Sequence, residues 1–141
     1  MTKDVKIIVL GHHDNGDGDV GTIRTTSMGQ YFEKSGSCYL LYEEEQEGFD
    51  KPVKNRVKYK KGYMELVKTG LINSRMVFEE GKTIMTSYNS PYGEMLMGVN
   101  TSSMRITERE DMIRIEVDYS LEVDERPMSK SKITIKIKPA V

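Results

Sequence analysis

Apolar and polar residues alternate along most of this chain. Val5, Ile7 and Val9 alternate with Lys6 and Ile8, and Cys38, Leu40, Tyr42 and Glu44 share one parity. Val53, Asn55, Val57 and Tyr59 are separated by Lys54, Arg56, Lys58 and Lys60. The pattern returns at Ile72, Ser74, Met76 and Phe78, through Ile113 to Val123, and at Ile133, Ile135 and Ile137 among Lys132, Lys136 and Lys138. Successive side chains of an extended chain point to opposite faces, so each run predicts a half-buried strand. No window combines the three-and-four apolar repeat with caps that a surface helix needs, so little helix is expected.

Turn residues fall between the runs. Gly16 and Gly18, Ser35-Gly36, Gly48, Lys61-Gly62, Gly70, Glu80-Gly81 and Pro91-Tyr92-Gly93 supply the positive or fixed φ that tight connections demand. Counting between them gives about ten strands, and turn signals at this spacing point to a sandwich or barrel. Short connections favour consecutive hairpins, and closing the meander removes the exposed edges it would otherwise leave. Residues 1–141 hold no Pro/Ser-rich linker, low-complexity tract or repeat. The expectation is one all-β domain, an antiparallel meander barrel.

Several short stretches resemble the YwiB family of bacterial proteins. They are Gly29 through Cys38-Tyr39-Leu40-Leu41-Tyr42-Glu43-Glu44, Met76-Val77-Phe78, Tyr88-Asn89-Ser90-Pro91-Tyr92-Gly93, Thr101, and Asp118-Tyr119-Ser120-Leu121. The resemblance spans nearly the whole chain. That family is similar to the calycins, the closed meander barrels that include lipocalins and fatty-acid-binding proteins. It therefore implies a calycin-like barrel of about ten strands. It implies no activity. The chain lacks Trp, and so lacks the lipocalin Gly-x-Trp signature, and Gly11 to Val20 is too short for the helical lid of fatty-acid-binding proteins.

Composition narrows the function classes. A chain of 141 residues buries roughly two-thirds of its unfolded surface, enough for a core without covalent staples. The net charge of −1 gives no general attraction to nucleic acid or to an anionic membrane. Cys38 is alone, which rules out an intramolecular disulfide and suits a reducing compartment. The apolar run Ile7–Leu10 is too short for a secretory signal or a membrane span. A cytoplasmic protein is expected, and its oligomeric state stays open, a homo-oligomer included.

The candidate chemistry is thin. Asp14-Asn15-Gly16-Asp17-Gly18-Asp19 has calcium-loop ingredients, but aligning Gly18 as the sixth position puts His13 first and Arg24 twelfth. That pattern fails the ligand requirement, and an acidic hairpin turn accounts for the residues. His12 and His13 are adjacent on a strand, so they face opposite ways and cannot converge on one metal or one nucleophile. Cys38 sits within an alternating strand, where a buried, inert thiol is expected. No glycine loop opening onto a helix offers a phosphate cradle. No metal, cofactor or catalytic residue is predicted.

Lys54, Arg56, Lys58 and Lys60 share one strand face, and Lys130, Lys132, Lys136 and Lys138 share another. Without aromatics interleaved on the same face they lack the stacking platform of a nucleic-acid site. Glu43 and Glu45 should lie beside Lys54 and Arg56 across a hairpin, giving a solvated face of paired charge. The methionines, among them Met28, Met64, Met76, Met85, Met95, Met97, Met104, Met112 and Met128, suit core filling, although Met also lines adaptable binding surfaces.

A barrel of about eight strands already has an interior that side chains fill or one small ligand occupies. Ten strands should leave either a cavity or a densely plugged interior. The leading functional expectation is non-catalytic binding of a small amphiphilic or hydrophobic ligand inside the barrel. Its alternative is a protein–protein interaction module with a filled interior, and an enzyme comes third. Tyr42, Glu44, Tyr88 and Tyr119 are the predicted ligand-binding residues. Tyr42 and Glu44 share the inward parity of Leu40, Tyr119 that of Val117 and Leu121, and Tyr88 that of Ile84. A buried carboxylate needs a partner, and tyrosine hydroxyls could provide one. Alternatively the third strand stops near Tyr42 and leaves Glu44 in a solvated turn.

Overall fold

The structure, a computed structural model, describes residues 3–14, 20–45, 48, 50–70, 73–91, 93–123 and 126–140. Its elements are all strands: β1 (Lys3–Asp14), β2 (Val20–Lys34), β3 (Ser37–Glu44), β4 (Val53–Lys60), β5 (Tyr63–Thr69), β6 (Asn73–Glu79), β7 (Thr83–Ser90), β8 (Gly93–Arg109), β9 (Met112–Val123) and β10 (Arg126–Pro139). Each pairs antiparallel with the next, and β1 pairs with β10 from Val5↔Pro139 to Asp14↔Lys130. The meander is thereby a closed barrel. The residues between β1 and β2, from Asn15 to Asp19, lie outside the described residues, as do Leu71 and Ile72 at the expected start of the sixth strand.

The period-two patterns become the two barrel surfaces. Ile7 pairs with Ile137 and Val9 with Ile135, so matching parities place both apolar rows inside. Leu40, Val57, Met64, Phe78, Val99, Ile115 and Val117 are fully buried and form the centre of the core. Phe78 meets Tyr119 edge-on, with ring centroids 5.0 Å apart. Burying an aliphatic side chain of this size stabilises by about 1.5–3 kcal/mol, so this half of the barrel carries the fold. Ser35 (φ 53°) and Gly36 (φ 81°) are the two central residues of the β2–β3 turn. Positive φ at both is the type I′ geometry whose twist matches a two-residue hairpin.

Two irregularities matter. β8 carries a bulge between Thr101 and Ser103, where Thr101↔Tyr119 is followed by Ser103↔Asp118. The extra residue, Ser102, shifts the inward parity from Val99 and Thr101 to Met104 and Ile106. The β6–β7 turn docks on this bulge through Gly81 N–H to Thr101 O and Thr101 N–H to Lys82 O. The Glu80 carboxylate accepts the Met104 N–H at 2.8 Å. The second irregularity is in β2. It pairs with β1 along its length, from Lys3↔Tyr31 to Asp14↔Val20, but its pairing with β3 begins only at Gly29↔Tyr42. The stretch Val20–Met28 therefore has no β3 partner among the described residues, Val20–Thr26 running on past the end of β3.

The methionines divide between inside and outside. Met64, Met97 and Met104 are buried, whereas Met28, Met85 and Met95 are exposed on strands β2, β7 and β8. Core filling thus explains only part of the set. Met128's side chain lies outside the described residues.

Candidate functional site

At one end of the barrel β2 runs on past its last β3 partner, Gly29↔Tyr42. A cavity of about 920 Å³ lies there, bounded by Ile23, Thr25 and Ser27 of β2, by Tyr42–Glu45 at the end of β3, and by Leu66 and Lys68 of β5. Met76, Tyr119, Ser131 and Ile133 complete the inner wall, and Gly11, His12 and His13 lie at its mouth. The opposite end is filled by the core. The ten-stranded interior is therefore both plugged and hollow, each over part of its length.

Three of the four predicted site residues come together here. Tyr42, Glu44 and Tyr119 all border the cavity. Tyr88's backbone pairs with Ser74 and Met95, and its side chain lies outside the described residues. β3 continues through Glu44, which pairs with Val53, so Glu44 belongs to the strand and not to a solvated turn.

Glu44's partner differs from the expectation. Lys68 Nζ lies 3.3 Å from Oε1 and 3.4 Å from Oε2, and no tyrosine hydroxyl takes that place among the described contacts. The pair spans the inner face of β4, because Glu44 is in register with Val53 while Lys68 is in register with Asn55. Sequence reasoning missed Lys68, which sits 24 residues away on a strand whose lysine reads as solvated. Its parity with Met64 and Leu66, both buried, was the available signal.

Beside the pair, burial pushes the Tyr42 phenol well above its ordinary range, and the charge of Glu44 pushes it further. Burial also raises Tyr119, with the Ser131 hydroxyl working against it. Both phenols are neutral donors at physiological pH. Asn55 is buried between the register positions of Tyr42 and Lys68. Its Nδ2 donates to Val53 O at 3.3 Å, while its Oδ1 is buried with no protein partner.

The histidines do face opposite ways. His12 is exposed, with Nδ1 3.0 Å from Thr22 Oγ1, while the His13 ring lies over Gly21 on the neighbouring strand. Both still border the cavity, because it opens at the strand end where they sit. Cys38 is half-buried, and its Sγ lies 3.4 Å from the Tyr31 hydroxyl at the filled end. The Asn15–Asp19 part of the acidic turn lies outside the described residues.

The outer wall corrects the picture of a face of pure charge. Glu43 does oppose Lys54, but Arg56 pairs with Glu65 of β5 at 2.8 Å. Glu65 also binds Arg75 at 3.2 Å and accepts the Tyr63 hydroxyl at 3.0 Å. Burial alone would raise this carboxyl; bonds from Arg75 and Tyr63 and the charges of Arg75 and Arg56 prevail and lower it. Lys58 lies over the Tyr39 ring and Lys60 over the Tyr63 ring, and Tyr39 stacks on Phe32 with centroids 5.0 Å apart. These aromatics come from neighbouring strands, so the run Lys54–Lys60 could not reveal them.

The comparisons with known proteins agree with this architecture. A family model described as "Domain of unknown function (DUF1934)" matches residues 7–135. The chain is 28% identical over 135 residues to the "Uncharacterized beta-barrel protein YwiB" of Bacillus subtilis (strain 168), covering 96% of this chain and 90% of that protein. The crystal structure of the ywiB protein from Bacillus subtilis matches with a TM-score of 0.87, over 99% of this chain and 94% of that one, at 23% identity. At that identity the likeness is one of fold. With a match running from β1 to β10 of the closed barrel, the chain belongs to the DUF1934 family.

Proposed function

We propose that this barrel binds a small amphiphilic molecule in the cavity at its open end and performs no chemistry on it. The observation that carries this is the cavity itself: about 920 Å³, walled by apolar Ile23, Leu66, Met76 and Ile133 with a few polar groups converging among them. Binding pockets for small molecules have this volume and this mixture. The non-catalytic reading rests on how the ionisable groups are engaged, Glu44 with Lys68 and His12 with Thr22. The lone thiol of Cys38 supports a cytoplasmic setting. No helix is long and apolar enough to cross a membrane among the described residues.

Native mass spectrometry of the protein purified from its own host tests the reading. A bound small molecule, lost on unfolding, is expected; a uniformly ligand-free mass counts against it.

A second reading is a protein-interaction module. It is favoured by the edge of β2 from Val20 to Met28, which has no β3 partner among the described residues and carries Met28, 60% exposed. An unpaired edge with apolar side chains is a template for a partner's strand. Replacing Met28, which does not line the cavity, by Lys would then abolish partner capture and leave small-molecule binding inside unchanged.

A further inference from the structure

We infer that the cavity selects a zwitterionic head group, an α-ammonium and a carboxylate on one centre, attached to an apolar tail. This deepens the ligand-binding proposal and rests on it. Inside the open end, Glu44 and Lys68 present one negative and one positive charge to the same space. Their separations, 3.3 and 3.4 Å, exceed the roughly 2.7–2.9 Å of a close charge-assisted bond. Both side chains are mostly shielded, at 15% and 25% exposure.

The valences are unsaturated. A Lys ammonium has three protons and a carboxylate has acceptor sites for several donors, so each can hold the other and a ligand group together. A third polar group lies beside the pair but outside the lining of this cavity. Asn55 lies on the same inner face, in register with Tyr42 and Lys68, and is 3% exposed. Its amide nitrogen is fixed on Val53 O, which leaves Oδ1 as a buried acceptor in need of a donor. Within the cavity Glu44 thus asks for an N–H donor and Lys68 for an anion.

Electroneutrality selects among head groups. A fatty carboxylate would bind Lys68 but bring a second negative charge to Glu44. An alkylamine would bind Glu44 but confront Lys68. A neutral alcohol leaves the pair intact but competes poorly for charged partners. Only a head carrying both charges gives every charge an opposite neighbour in this partly desolvated space. The apolar wall of Leu66, Met76 and Ile133 then takes the tail.

The test is calorimetric titration of the full chain with four eight-carbon probes: 2-aminooctanoate, octanoate, octylamine and 1-octanol. In the native protein 2-aminooctanoate should bind about tenfold tighter than each of the others, as a charge-matched head demands. Glu44→Gln should erase its advantage over octanoate, and Lys68→Met its advantage over octylamine, with circular dichroism reporting the fold of each variant. If octanol binds as tightly as the zwitterion in the native protein, the head-group inference falls and the cavity still binds apolar ligands. If no probe binds, both proposals fall. A zwitterion preference that survives both substitutions in folded variants overturns the assigned role of the pair. The native ranking alone decides the matter if a variant fails to fold.

Discussion

Gly29 of β2 lies against the Leu41 carbonyl of β3 so closely that a β-carbon at position 29 would overlap that oxygen and sit 2.8 Å from Ile7 Cδ1. This is the position where β2 first meets β3, opposite Tyr42, which borders the cavity. A backbone oxygen held in a sheet cannot step aside. Gly29→Ala should therefore cost about 2–3 kcal/mol, in the range of an overpacked core. Gly21 offers the contrast: a β-carbon there would meet His13 Cε1 at 2.5 Å, the far end of a side chain that can rotate. Gly21→Ala should cost less than about 1 kcal/mol. Urea denaturation of the two variants checks the difference, and equal midpoints would refute it.

The β8 bulge depends on one side chain outside the strand. Glu80 accepts the Met104 N–H two residues beyond the extra residue Ser102, at the position where β8 comes back into register with Val117 of β9. Glu80→Ala should destabilise by about 1.5–3 kcal/mol, the usual worth of a hydrogen bond to a charged group. Hydrogen exchange should show the Met104 amide losing protection in the variant while Ile115 on β9 keeps its own.

Acid should weaken the fold partly through the outer wall. Glu65 and Glu116 both have carboxyls that burial would raise but that arginine neighbours hold below the usual value. A carboxylate with a depressed folded-state pKa adds stability above its unfolded pKa and loses it as pH falls through the folded one. Stability should therefore fall below about pH 4.5, toward the depressed values. Glu65→Gln should cost about 1–2 kcal/mol at pH 7, between the worth of surface and buried pairs, because Arg56 and Arg75 stay half-exposed. The variant should show a shallower loss on acidification in denaturant titrations from pH 7 to 3. An unchanged acid limb would exclude Glu65 as a source of it.

At the alkaline end the tyrosines act with the opposite sign. Burial raises the phenols of Tyr31, Tyr42, Tyr59, Tyr63 and Tyr119. The Tyr59 hydroxyl, beside Cys38 and Tyr31, makes no hydrogen bond of good geometry. A raised folded-state pKa contributes fully below the unfolded value and is lost as pH climbs above about 10. Absorbance at 295 nm should report a subset of phenolates that form only as the circular dichroism of the sheet disappears. A smooth titration of every tyrosine in folded protein would contradict their burial.

The chain's own pattern determined the strands, their two faces and the turns between them, because a side-chain period of two is a local property of an extended backbone. It placed Tyr42, Glu44 and Tyr119 on inward faces for the same reason, and Ser35-Gly36 at a hairpin because positive φ is a local demand. Tertiary structure decided everything that depends on which strands become neighbours. Lys68 reaches Glu44, and Glu65 gathers Arg56 and Arg75, only because registers across β3 to β6 bring distant residues side by side. The inward parity of β8 changes at Ser102, which no strict alternation can anticipate. The cavity lies at the end of the barrel where β2 runs on past Gly29, its last partner on β3. Alternation sets which way a residue points; the closed ring of registers sets what it meets there.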